Sequence, residues 1–112
     1  MIGTDNALLS IAKAMASHAA DAQAVATRNL ANANTPGYKA QAAESFAKSF
    51  AAGRTSPRVA VDKTAPQDPN GNSVSLEDQV LTLSEARGQH DMAMALWGQT
   101  LSLYRTALGR GR

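Results

Sequence analysis

The sequence contains no cysteine, which excludes a disulfide, a thiolate metal site and a cysteine nucleophile. Aromatic residues make up only 4 % of it. Of the 44 % that is hydrophobic, alanine supplies 23 residues, so the apolar surface comes mainly from small side chains. Burying a large aliphatic side chain is worth about 1.5–3 kcal/mol, and a core made largely of alanine is correspondingly thin. Nowhere do eighteen apolar residues run together, and the N-terminus lacks a basic segment followed by an apolar one. Neither a membrane span nor a signal peptide is therefore expected. Like charges form no block of the kind that marks a nucleic-acid arm. The net charge of +2 is spread over interspersed residues, and only Arg105 with Gly109-Arg110-Gly111-Arg112 is locally basic, where positive charge complements the negative end of a helix. A chain of 112 residues has room for one compact domain, or for a few helices that complete their packing on a neighbour.

What is present is helical periodicity at both ends. Between Asn6 and Leu30 the positions Leu8, Ile11, Met15, Ala22 and Val25, with His18, follow steps of three and four, and Ala12, Ala19, Ala26 and Leu30 widen the stripe to one side. The pattern predicts an amphipathic helix with Thr4 or Asp5 capping its start. In the C-terminal third, Leu76, Val80, Leu83, Arg87, His90, Met94, Trp97, Leu101, Tyr104 and Leu108 alternate steps of four and three, a heptad that predicts a coiled-coil seam. Ser75 with Asp78 forms a candidate capping box, Glu77 and Asp78 suit the positive end of the helix, and Gly109 is a candidate stop. Gly88 and Gly98 either weaken this helix or permit a close contact.

Between Lys39 and Asn72 the periodicity fades. Gly53, Ser56-Pro57, Pro66, Pro69 and Asn70-Gly71-Asn72 interrupt it, leaving one candidate ordered piece, Ala42 to Phe50, as a brief helix or an extended arm that docks Phe46 and Phe50. The rest is expected to be irregular and disordered in the free subunit. The predicted organisation is all-α: an N-terminal helix and turn over 1–38, a flexible middle over 39–72, and a heptad helix with a basic tail over 73–112. The two long helices pair as a hairpin or coiled coil.

At the end of the first helix stands Asn29-Leu30-Ala31-Asn32-Ala33-Asn34-Thr35-Pro36-Gly37-Tyr38. Asn32 or Asn34 can adopt the left-handed conformation that ends a helix, Pro36 keeps Thr35 out of helical geometry, and Pro36-Gly37 fits the centre of a type II turn. Tyr38 leaves the turn as an anchor with an apolar body and a polar tip. His18 and His90, with Asp21, Glu85 and Asp91 near them in sequence, lack the spacing of a metal-ligand motif. Each lies on a helical seam and reads as a packed or interface residue. No nucleophile elbow is present, and no enzyme or cofactor is expected.

The run Asn29 to Tyr38 resembles the signature that closes the first helix of flagellar axial proteins, the family of rod, hook and hook-associated subunits. Within it, Gly71-Asn72-Ser73-Val74-Ser75-Leu76-Glu77, together with Phe46, is similar to the FlgB-type proximal rod subunit, whereas Glu85-Ala86-Arg87-Gly88-Gln89-His90 has a flavour of the FlgC type. The resemblance implies a structural, self-assembling subunit of the basal-body rod, needed for motility, that packs through its terminal helices and helps transmit torque. It implies type III export without a cleaved leader. Implied partners are the other rod subunits, the rod-base adaptor and the membrane ring protein, with no nucleic acid. The residues it singles out are Asn29, Asn32, Asn34, Thr35, Pro36, Gly37 and Tyr38 for assembly, and the two helical stripes for packing. Beside it stands a second possibility, a small helical binding module such as an export chaperone.

Overall fold

The computed structural model describes the backbone of residues 2–110 and the side chains of residues 7–109. Two long helices, α1 (Ile2–Ala31) and α3 (Leu76–Arg110), flank a middle that carries β1 (Gln41–Ala43), α2 (Phe46–Ala51) and β2 (Val59–Val61). The helices are antiparallel: Asn29 meets Gln79, while Met15, half the helix earlier, meets Gln89 further along α3. The result is a rod-like body of 69 × 23 × 15 Å.

The α1 and α3 seam is made of small residues. Ala12, Ala19 and Ala26 are buried on α1 and repeat every seven residues; Gln79, Ala86, Ala93 and Thr100 do the same on α3. The small side chains at all of these positions but Gln79 let the two axes approach closely. The predicted α3 line is thereby corrected. The packed line is the predicted one displaced by a single residue, a rotation of about 100° around the helix axis. Leu76, Val80, Met94, Trp97 and Leu108 are exposed, Arg87 and His90 with them, and Leu83, Leu101 and Tyr104 are half-buried. Hydrophobicity picked out the line of large residues, but closeness of approach selected the line of small ones beside it. On α1 the stripe divides in the same way. The flanking alanines form its centre, Val25 and His18 are buried, and Leu8, Ile11, Met15 and Ala22 are half-buried.

The helix ends depart from expectation too. Helix α1 already includes Thr4 and Asp5, whose side chains lie outside the described residues. Gly109 does not stop α3, which continues through Arg110; Gly111 and Arg112 lie outside the described residues. Ser75 does cap α3, its hydroxyl accepting from the Asp78 N–H at 3.3 Å and its carbonyl from the Gln79 N–H at 3.1 Å.

The fold is not strictly all-α. Strands β1 and β2 pair antiparallel, Gln41 opposite Val61, Ala42 opposite Ala60 and Ala43 opposite Val59. The Glu44 and Asp62 N–H groups extend the ladder to the Arg58 and Ala40 carbonyls. Between the strands, Ser45 caps α2 by accepting from the Lys48 N–H. Arg54 closes the excursion by donating through one nitrogen to both Glu44 carboxylate oxygens, at 2.9 and 2.7 Å. Three-residue strands rich in alanine carry too little alternation to announce themselves in sequence. This unit rests on α1 through His18. Gln89 donates to His18 Nδ1 at 3.0 Å, so the ring carries its proton on Nε2 and donates to the Glu44 carbonyl at 2.7 Å. Phe46 meets the ring edge-on at 5.7 Å and stacks on Phe50.

Gly88 and Gly98 make no close contact: an added Cβ at either meets nothing within 4 Å. Gly88→Ala is expected to raise unfolding free energy by about 1 kcal/mol, read as a higher urea midpoint at an unchanged slope. Ala93→Leu, on the buried seam, is expected to lower it by about 1–3 kcal/mol through overpacking.

Candidate assembly junction

Helix α1 ends without the expected left-handed asparagine. Among the described residues only glycines have positive φ. The last turn tightens instead: the Asn32 N–H is shared between the Arg28 and Asn29 carbonyls, and Ala33 N–H bonds Leu30. Two asparagine side chains then stand in for backbone. Asn32 reaches back to the Arg28 carbonyl at 2.9 Å. From 40 residues away, the Asn72 amide donates to the Asn32 and Thr35 carbonyls at 2.9 and 2.8 Å, supplying the donors that a helix C-terminus lacks. The turn that follows has the predicted type II form, with Tyr38 N–H bonded to the Thr35 carbonyl at 3.2 Å and Gly37 at φ 75°.

The centre of the junction is Asn29, 0 % exposed. Its Nδ2 donates to the Gln41 carbonyl at 2.8 Å and to Gln79 Oε1 at 2.9 Å. Its Oδ1 accepts from the Tyr38 hydroxyl and from the Gln41 N–H, each at 3.0 Å. Both donors and both acceptor sites are thus used. Toward Gln41 the amide behaves as a strand would, covering the edge of β1 that β2 leaves open. One side chain therefore joins α1, the turn, the sheet and α3.

The approach to α3 locks onto the same turn. Gly37 N–H bonds the Asn70 carbonyl at 2.9 Å and Ser73 N–H bonds the Tyr38 carbonyl at 3.0 Å. The Ser73 hydroxyl accepts from the Ala40 N–H, and Lys39 Nζ reaches the Gly71 carbonyl at 2.6 Å. Gly71, at φ 85°, sits so close that an added Cβ would lie 3.3 Å from the Gly37 Cα. The two segments singled out by sequence, Asn29 to Tyr38 and Gly71 to Glu77, are thus one structure.

Of the predicted residues, Asn29, Asn32, Thr35, Gly37 and Tyr38 converge here through these bonds, whereas Asn34 and Pro36, exposed like Thr35 and Gly37, make none of them. His18 and His90 do not converge: the first is engaged by Gln89 and Glu44, and the second is exposed with Asp91 3.9 Å away. Among the described residues no three His, Asp or Glu side chains are grouped as metal ligands. Gln41, Gln79 and Gln89 were not legible as bonding partners.

Residues 13–39 match the family model described as flagella basal body rod protein. The match supports a flagellar basal-body rod protein. It covers α1 from Lys13 to its end and the whole Pro-Gly turn, which is one half of the junction, and stops before the Gly71 to Glu77 half. That rod family is structural and not enzymatic, and it supports a place in the flagellar basal body. No helix among the described residues is long and apolar enough to cross a membrane. No curated protein matches the chain.

Asn29→Ala strips partners from Gln79, the Tyr38 hydroxyl and the Gln41 backbone. It is expected to lower unfolding free energy by about 3 kcal/mol. Asn72→Ala is expected to act in the same direction, while Asn34→Ala stays within about 0.5 kcal/mol of wild type. Urea titrations followed by circular dichroism check all three.

Proposed function

We propose that this chain is a structural subunit of the proximal rod of the bacterial flagellum, of the FlgB type, that packs its terminal helices against copies or relatives of itself. The observation that carries this is the rod-family match at residues 13–39, which falls on the segment that ties α1, the turn and the approach to α3 together. The α3 surface supports it. Val80 and Leu108 are 60 % and 69 % exposed, and with Leu76, Met94 and Trp97 they form a stripe of large apolar side chains along a helix whose own partner is packed through alanines. Exposed apolar surface of this extent marks an interaction site.

In this role the subunit travels unprocessed through the flagellar type III export apparatus and joins other rod subunits near the rod-base adaptor and the membrane ring protein. There it passes torque toward the distal rod. Assembly residues are the junction side chains, Asn29 to Tyr38, and the exposed stripe. The alanine seam buries little area, so neighbours in the rod supply the missing core and the free subunit is loosely folded. Dilute protein is expected to melt broadly by circular dichroism; a sharp, highly stable helical transition contradicts this.

A deletion strain tests the assignment. Loss of the gene is expected to block rod assembly and motility, and wild type to restore both. Val80→Asp with Trp97→Asp, both on the exposed stripe, should keep the monomer's helical spectrum yet fail to restore the rod. Motile deletion cells with intact basal bodies overturn the rod assignment and favour a helical binding module.

A further inference from the structure

Beside the junction, a groove of about 490 Å³ opens between α3 and the middle unit. Its floor is apolar, from Ala22 and Val25 of α1 and Phe46 of α2, and Leu81 of α3 stands at its rim, 57 % exposed. Asp62, Asp78 and Glu85 line it, together with Glu44, whose carboxylate is taken by Arg54. No Lys or Arg lines it. Hydrogen bonds from the Thr64 hydroxyl and N–H hold the Asp62 carboxyl below the usual carboxylate range. The groove therefore sets a few apolar side chains among polar ones such as Gln41, Ser73 and Thr82, with three carboxylates free of cationic partners among the described residues.

The far end of α3 has the complementary character. Leu101, Tyr104 and Leu108 follow helical steps, Arg105 lies one turn from both Leu101 and Leu108, and the sequence adds Arg110 and Arg112 beyond them. From Asp78 to Gln89 the groove follows α3 for about 16 Å, and the segment from Leu101 to Leu108 is about 10 Å long. One amphipathic face of two helical turns fits that run, in the helix-in-groove mode. The same chain cannot fill its own groove. Arg105 and Asp78 sit on one continuous helix, about 40 Å apart.

We propose that the groove receives the basic C-terminal end of α3 from a second copy of this chain, with Arg105 set against Asp78 and Glu85. Donor and acceptor surfaces are at opposite ends of the molecule, so the contact is heterologous and propagates head to tail instead of closing as a symmetric dimer. This rests on the reading that copies of the chain stack in a rod, and it names one of the contacts by which they do so.

Charge exchange on the full chain tests it. Wild type at millimolar concentration and low salt is expected to self-associate in sedimentation velocity. Glu85→Arg alone and Arg105→Glu alone are each expected to weaken that association by about tenfold, since like charges then meet across the contact. Mixing the two variants is expected to restore it, because each now offers the other a complementary pair. Circular dichroism verifies that the variants fold, and Asp78→Arg replaces Glu85→Arg if that one does not. A wild type that stays monomeric overturns the proposal, as do single variants that associate like wild type. A mixture that fails to recover also overturns it. The deletion phenotype remains a separate result: intact basal bodies without the gene remove the rod assignment while leaving the measured contact in place.

Discussion

The fold depends on a buried primary amide with every hydrogen-bonding position filled. A fully buried polar group without partners costs roughly 1–3 kcal/mol in stability, so Asn29 is tolerable only where a helix, a strand edge, a tyrosine hydroxyl and a glutamine are all in place together. That condition works in both directions. Once the amide is satisfied, α1 cannot rotate, β1 cannot lose its edge partner and α3 cannot move away at its Gln79 end without leaving a polar atom stranded. Asn72 performs the matching service for the carbonyls at the end of α1. In a protein whose core is mostly methyl groups, these two amides supply the specificity that interlocking large side chains supply elsewhere.

The helices invert the usual sorting of side chains. Ala86, Ala93 and Thr100 are buried along α3 while Leu76, Val80, Met94, Trp97 and Leu108 are exposed. Inside, small residues bring the axes together and bury little area. Outside, large residues hold most of the chain's unrealised hydrophobic free energy, at about 25 cal/mol per Å². A subunit arranged this way is modest as a monomer and gains most when the outer stripe is covered by a neighbour. The division suits a building block whose fold is completed by assembly.

Much of this was legible in the sequence. The 3.6-residue periodicity located both long helices, Pro36-Gly37 announced its turn, and Ser75 announced its cap, because each depends on local physics. The rotation of α3 was not legible. Val80 and Gln79 are adjacent, hydrophobicity favours the first, and only the partner helix, with its alanines at 12, 19 and 26, selects the second. The small sheet was missed because its stability comes from Asn29 at one edge and from the Arg54 to Glu44 pair at its base, not from strand propensity. The end of α1 was misjudged for a similar reason: Asn72, remote in sequence, caps it.

The spacing of the seam has a geometrical consequence. Small residues that repeat every seven positions, Ala12, Ala19 and Ala26 on α1 and Ala86, Ala93 and Thr100 on α3, make this stretch of the interface nearly periodic, so sliding one helix past the other by a heptad again sets small residues against small residues. Such a seam resembles a ruler with identical marks and carries almost no information about alignment. The alignment is encoded instead by unlike marks at unequal intervals: Gln79 at Asn29, and Gln89 at His18 and the Met15 carbonyl. Those contacts exist in a single setting of the two helices, and they fix how far the end of α3 extends beside the beginning of α1.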